Sequence, residues 1–214
     1  MKTKKTKPGR PDKKEKRRKL RLFEPRDTNS FYSEPNVLTL LRFLLSLAFY
    51  ILAIFKMDLT FCYIGLVIHW LGDLFDGFWA RRFKQETILG AEIDIIADRV
   101  EVLFFYIIFL FFYPHLFLPA ALYIIDFAFM DFYLSYQFLK YDIISPNYFY
   151  KVDKTVHKLN FSKPGKFCNS AVVTLILIFL PQFQVVATVW AAGLIGIKTY
   201  SIHLLRKKTR IQPQ

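Results

Sequence analysis

Near-continuous apolar stretches, most of them long enough to cross a bilayer, recur along this chain and restrict it to a membrane-spanning helical fold. A bilayer core of about 30 Å needs roughly 20 helical residues. Candidate spans occupy 37–55, 61–82, 87–112, 116–138, 168–181 with some extension, and 184–205. The turns between them carry polar groups or helix breakers: Lys56-Met57-Asp58, Tyr113-Pro114-His115 and Pro181-Gln182. Hydrophobic residues make up 54% of the 214 residues, with 24 Phe and only 8 Gly. A soluble globule of this size could not bury that much apolar surface. The sequence therefore predicts an all-α membrane protein with six transmembrane helices.

The net charge of +13 coexists with this apolar bulk because the two are segregated. Residues 1–36 carry 13 basic residues and almost no apolar content before Leu20, so a disordered tail is expected over 1–35. Beside a span, such a tail serves as a topogenic or lipid-surface anchor, and no nucleic-acid partner is expected. A membrane domain follows over 36–206, then a short basic tail over 207–214. With both termini cytoplasmic, the cytoplasmic segments 1–36, 81–84, 140–166 and 206–214 hold 26 of the 30 Lys and Arg residues. That asymmetry obeys the positive-inside rule. Cys62 and Cys168 offer neither a disulfide framework nor metal-ligand spacing.

The spans are not purely apolar. Asp73, Asp76, Glu92, Asp94, Asp98, Arg99, Glu101, Asp126 and Asp131 all fall within them. An ionisable residue near the bilayer centre costs a few kcal/mol, so it is read first as functional. Helical periodicity places Asp73, Asp76, Gly77, Ala80 and Arg81 on one face, and Gly90, Asp94 and Asp98 on one stripe of the next helix. A short loop joins the two helices, so the four aspartates can face each other at one depth. Carboxylates that converge in a low-dielectric setting repel, and a divalent cation removes the conflict. Hard oxygen ligands favour Mg²⁺ or Mn²⁺ over zinc. The small residues let two backbones, or a backbone and a ligand, approach closely.

The string Asp73-Leu-Phe-Asp76-Gly77-Phe-Trp-Ala80-Arg81, eight residues, then Gly90-Ala-Glu-Ile-Asp94-Ile-Ile-Ala-Asp98 resembles the signature of the CDP-alcohol phosphatidyltransferase family, with its eight defining positions present. The six-span layout is similar as well. The resemblance implies transfer of a phosphatidyl group from CDP-diacylglycerol to a small polar alcohol, with release of CMP. It implies that Asp73, Asp76, Asp94 and Asp98 bind two Mg²⁺ or Mn²⁺ ions, that Asp98 is also the general base, and that Gly77, Arg81 and Thr87 line the donor pocket. Asn36, Thr39 and Gly90 are assigned to the same pocket. It further implies a homodimer among membrane lipids, in a bacterial cytoplasmic membrane, with the active site on the cytoplasmic side.

The acceptor is legible only in part. Pro35-Asn36-Val-Leu-Thr39-Leu-Leu-Arg42 resembles the first span of the glycerophosphate-using members. Arg42, one turn into a span, requires an anionic partner. With Lys163 and Lys166 it could bind the phosphate of glycerol 3-phosphate, although such lysines also serve as ordinary flanks. Ala97-Asp98-Arg99 resembles the inositol-lipid synthases instead, which keeps inositol or inositol phosphate as the alternative acceptor. For Asp131 a salt bridge to Arg42 or Arg99 is expected, and for His69 a packed neutral ring. An ion-binding transporter is the reading from another class. It would spread its acids through the bilayer depth, whereas these gather at one edge.

Overall fold

A computed structural model describes residues 32–141 and 143–211, with side chains to Lys208. The expectations for the basic N-terminal tail fall almost wholly on residues outside that range. Every regular element among the described residues is helical. Helices α1 (Glu34–Lys56), α2 (Leu59–Arg82) and α3 (Ile88–Phe112) form a consecutive antiparallel set. A composite helix follows: a 3₁₀ turn Pro114–Leu116, α4 (Phe117–Ile124), a π segment Ile125–Asp131, α5 (Phe132–Tyr136) and a 3₁₀ turn Gln137–Tyr141. A connector winds through a 3₁₀ turn Pro146–Lys151, α6 (Lys154–Val156) and a π turn His157–Phe161. It leads into α7 (Lys163–Ser170) and α8 (Val172–Phe179), a 3₁₀ turn Pro181–Phe183 and the long α9 (Gln184–Ile211). The terminal basic segment expected from residue 207 thus begins inside α9, which carries it on to Ile211.

Local chemistry sets these boundaries. Ser33 caps α1 through its hydroxyl to the Asn36 N–H at 3.4 Å, and Asp58 caps α2 through its carboxylate to the Thr60 N–H at 2.8 Å. Met57, at φ 51°, turns the chain between them, and its N–H reaches the Ala53 and Ile54 carbonyls. That left-handed corner is the usual way to close a helix. The Asp58 carboxyl is held below its ordinary range by the Thr60 N–H.

Four helices are long and apolar enough to cross a membrane: Glu34–Lys56, Leu59–Arg82, Pro114–Tyr141 and Pro181–Lys208. The chain is thus an all-α protein built for a membrane. Two of the six expected spans lie outside this set for visible reasons. Helix α3 has 25 residues, but its middle carries Asp98, Arg99 and Glu101. The stretch at 163–179 is broken into α7 and α8 at Ala171. Large apolar side chains such as Leu44, Phe55, Leu71, Leu74, Ile107, Phe111 and Phe117 are exposed on the outside, as lipid contact requires.

Inside, two apolar clusters enclose a polar layer. The first gathers Tyr50, Cys62, Phe105, Tyr106, Phe109, Tyr123, Leu177 and Ala191. The second gathers Ile95, Leu134, Phe138, Phe149, Phe161 and Leu205. Between them along α3 lie Asp98, Arg99 and Glu101, along the composite helix Asp131, and along α9 Lys198 and Ser201, while Asp126 sits within the first cluster between Tyr123 and Phe127. Glycines let α1 and α2 cross at close range. A Cβ on Gly65 would lie 2.6 Å from the Tyr50 ring, and one on Gly72 would overlap the aliphatic stem of Arg42. Cys62 and Cys168 are both free thiols.

The polar layer includes an ion network that ties α3, the composite helix and α9 together. Asp131 pairs with Arg99 and with Lys198, which is fully buried. Ser135 adds a hydroxyl to the same carboxylate at 3.4 Å, and the Arg99 guanidinium lies 4.4 Å from the centre of the Phe127 ring. The salt bridge expected for Asp131 forms with Arg99 rather than Arg42. Lys198 joins it as an unforeseen third member. Asp126, also fully buried, has no hydrogen-bond partner for either oxygen among the described residues. Removing one member of a buried ion network strands the others and costs about 3–5 kcal/mol. Asp131→Ala is therefore expected to lower the melting temperature in detergent sharply. An Asp131→Leu, Lys198→Met double variant should recover part of that loss.

Candidate functional site

The site grows from the facing surfaces of α1, α2 and α3, where a single guanidinium sits among five carboxylates. Arg42 is buried. Its Nη2 lies 3.1 Å from Asp98 Oδ1 and 3.3 Å from Asp94 Oδ1. Its Nε lies 3.6 Å from Asp76 Oδ2, and its Nη1 lies 3.8 Å from Asp73 Oδ1. Glu101 Oε2 lies 3.6 Å from Nη2. All four aspartates singled out by spacing thus meet at one place. The arginine expected to read a substrate phosphate is at their centre.

The carboxylates differ in exposure, and this gives the site a direction. Asp76 and Glu101 are buried, while the Asp73, Asp94 and Asp98 side chains are 44%, 36% and 18% exposed. The opening is therefore on the side of Asp73 and Asp94. Asp76 is fixed from α1 by the Thr39 hydroxyl at 3.0 Å, and that hydroxyl also bonds the Pro35 carbonyl at 3.1 Å. Thr39 is in this way a holder of an acid.

Two groups of side chains could each hold a cation, since their ligand atoms lie within 4.8 Å of one another: Asp73, Asp76 and Asp94, and His69, Asp98 and Glu101. The donor set suits a hard divalent ion. The guanidinium at its centre, hydrogen-bonded to Asp94 and Asp98 and within 4 Å of Asp73 and Asp76, is a positive charge already held by this cage. His69 is buried, with Nδ1 3.0 Å from Glu101 Oε2 and 4.0 Å from Asp98 Oδ1. It is therefore packed, as its place in mid-span suggests, and also bonded to an acid. Glu101 receives a second hydrogen bond from Ser46. The roles of Ser46, His69 and Glu101 were not legible in the spacing of the signature. The available signal was that Glu101 follows Asp98 by one helical turn and so continues its stripe.

The residues expected to line the donor pocket lie along the last turns of α2 and around the starts of α1 and α3. Gly77 leaves room for the Arg81 guanidinium, whose Nη1 would be 3.1 Å from a Cβ there. A Cβ on Gly90 would lie 2.8 Å from Asn36 Oδ1 and 3.0 Å from Thr87 Oγ1, so Gly90 brings α3 against the start of α1. Thr87 turns out to be the N-cap of α3, its hydroxyl accepting from the Gly90 N–H at 2.9 Å. The α2–α3 turn is clamped from both sides. Glu34 accepts from Trp79 Nε1 at 3.1 Å and from Gln85 Nε2 at 3.2 Å, and the Tyr148 hydroxyl donates to Glu86 at 2.6 Å. Burial and that bond to Glu86 push the Tyr148 phenol up from its ordinary range.

The two lysines differ. Lys166, exposed on the first turn and a half of α7, lies close enough to Asp73 to act on it electrostatically. Burial and the same Lys166 hold the His157 imidazole below its ordinary range. Lys163 is exposed and takes no part in the cluster's ion pairs among the described residues. Capping by Thr87 has a measurable consequence. Thr87→Ala should cost about 1 kcal/mol of stability, and Thr87→Ser should restore it. Thermal melts of the two variants decide this.

Comparison with known proteins agrees with the geometry. A family model described as CDP-alcohol phosphatidyltransferase matches residues 32–198. Among similar proteins is the CDP-diacylglycerol--glycerol-3-phosphate 3-phosphatidyltransferase of Sodalis glossinidius, 42% identical over 71 residues, 32% of this chain and 38% of that one. The protein of the same name from Pectobacterium atrosepticum is 40% identical over 74 residues, 33% of this chain and 40% of the relative. That from Yersinia enterocolitica is 44% identical over 71 residues, 32% and 38% of the respective chains. The match thus spans about two fifths of the length of these relatives. No solved structure matches the chain. The family match covers most of the chain, including the whole acidic site, and the chain belongs to the CDP-alcohol phosphatidyltransferase family.

Proposed function

We propose that this protein transfers a phosphatidyl group from CDP-diacylglycerol to a hydroxyl acceptor, glycerol 3-phosphate foremost, with release of CMP. The observation that carries this reading is the convergence of Asp73, Asp76, Asp94 and Asp98 on one cationic centre. The names of the relatives favour glycerol 3-phosphate over inositol or inositol phosphate. Arg99 supports this preference, because Asp131 holds it in a structural network that Lys198 completes from α9. A transporter is disfavoured, since the acids of this site form one compact cage.

Two divalent ions, Mg²⁺ or Mn²⁺, bound by the four aspartates would neutralise the donor pyrophosphate and stabilise the departing CMP. The residues of the chain do the rest. Arg81, laid over Gly77, offers a fork of donors to the donor phosphates. Asn36 and Thr87 border the same end of the cleft beside Gly90. Asp98 takes the proton of the acceptor hydroxyl as its oxygen attacks phosphorus and the bond from phosphorus to the CMP oxygen breaks. Arg42 and Lys166, with Lys163 at the rim, attract the acceptor phosphate. In the membrane the reading is of six spans, with both termini and the site cytoplasmic and the donor's acyl chains in lipid. The protein would act as a homodimer.

The test is CMP release by purified protein with CDP-diacylglycerol, Mn²⁺ or Mg²⁺, and a panel of glycerol 3-phosphate, inositol, inositol phosphate and serine. Turnover with glycerol 3-phosphate is expected, with loss of turnover on chelation. Asp98→Asn should abolish CMP release in a folded protein, and Asp73→Asn should chiefly raise the metal requirement. Substantial turnover by Asp98→Asn at saturating Mn²⁺ would reject the proton-acceptor role. Arg42→Ala should raise the acceptor KM about tenfold to hundredfold, the value of a charge-assisted bond of roughly 1.5–3 kcal/mol. An unchanged acceptor KM would end the assignment of Arg42 to the acceptor phosphate.

A further inference from the structure

The cluster holds one carboxylate more than the proposed metal site uses. Glu101 is 1% exposed, one turn deeper than Asp98 on α3. Ser46, one turn beyond Arg42 on α1, donates to one of its oxygens. The other lies 3.0 Å from His69 Nδ1 and 3.6 Å from Arg42 Nη2. The His69 backbone carbonyl accepts from Arg42 Nη1 at 3.4 Å. Ser46, His69 and Glu101 therefore form a floor beneath the aspartates, each reached from a different helix of the α1–α3 set.

Charge balance gives this floor a purpose. A guanidinium cannot shed its proton, so Arg42 stays cationic in every state of the site. Four ionised aspartates match the four positive charges of two divalent ions. Arg42 then loses its share of the aspartates and faces those ions at short range, where unshielded like charges repel strongly. The only anion left for it in the cluster is Glu101. The hydrogen bonds from Ser46 and His69 keep that carboxylate in place whether or not the aspartates are occupied.

We propose that Glu101, fixed by Ser46 and His69, is a positioning residue that retains Arg42 at the base of the site when divalent ions take the four aspartates. The inference rests on the two-ion reading above. It makes Arg42 a two-position side chain, shared with the aspartates in the metal-free protein and held by Glu101 in the metal-bound one. Only the second position leaves the guanidinium available to an incoming phosphate.

The experiment is Mn²⁺ binding to the substrate-free, full-length protein by calorimetry, as a double-mutant cycle of Glu101→Gln and Arg42→Met. With Arg42 present, Glu101→Gln is expected to weaken Mn²⁺ binding about tenfold, because Arg42 then competes for the aspartates. In the Arg42→Met background the same change should alter binding by no more than about twofold. Equal weakening in both backgrounds would make Glu101 a metal ligand or a simple field effect, and no weakening in either would remove it from the site. Both results overturn the inference while leaving the two-ion reading intact. A wild-type protein that binds no Mn²⁺ overturns both. Should Glu101→Gln fail to fold, His69→Leu provides the test. It should weaken Mn²⁺ binding only when Arg42 is present, with recovery in His69→Asn, whose amide N–H takes the place of Nδ1. The steady-state counterpart is a rise in acceptor KM of about tenfold in Glu101→Gln, with kcat changed by less than about twofold.

Discussion

The acidic site is organised around one guanidinium. Five carboxylates on two neighbouring helices repel one another in a low-dielectric interior. Arg42 reverses that, since it lies within 4 Å of every one of them. The arginine must come from a third helix, and that helix must approach closely enough for its side chain to reach the centre. Gly72 makes this possible by leaving the space that the Arg42 stem fills. The order of cause runs from a glycine on α2, to the crossing of α1 over it, to the neutralisation of an acidic cavity. Chemistry at that cavity comes last in the chain of dependence.

A second ion system stands back to back with the first. Asp98 and Arg99 are consecutive on α3, and consecutive helical side chains diverge by about 100°. Asp98 faces α1 and α2, and Arg99 faces the composite helix and α9. Arg99 Nη1 lies only 3.6 Å from Asp98 Oδ2, so the two systems are joined at this pair. The π segment Ile125–Asp131 brings both Asp126 and Asp131 inward, a spacing of five residues that an unbroken α-helix would set well apart around its axis. Lys198 completes the pairing from α9.

Much of this was written in the sequence. The apolar stretches located α1, α2 and α3 to within a few residues, though not the break at Ala171, and the spacing Asp73, Asp76, Asp94, Asp98 located the acids, because helical periodicity alone puts them on facing stripes. Other features were hidden for definite reasons. Lys198 resembles nothing more than an isolated charge in a span until Asp131 is placed beside it, 67 residues earlier in the chain. Thr87 is assigned to the donor pocket by resemblance, yet its hydroxyl is engaged by the Gly90 N–H, a local bond that spacing from a distant motif does not reveal. Glu101 and His69 were legible as buried polar residues. Their partnership was not, since it depends on the angle at which α2 crosses α3.

The two apolar clusters explain why the acids can stay ordered within such a layer. Tyr50, Phe105 and Phe109 seal one side of it, and Ile95, Phe138 and Phe149 seal the other. Water can therefore reach the acids chiefly through the opening beside Asp73 and Asp94, which is also where Lys166 stands. A phosphate arriving there meets cations in sequence: Lys166 at the rim, then Arg42 at the base. The carboxylates between them repel an anion unless divalent ions cover them. On the two-ion reading proposed above, metal occupancy and admission of a phosphorylated acceptor are linked through electrostatics. On that reading, Arg42 and Lys166 act on the acceptor only after the acids beside them have been neutralised.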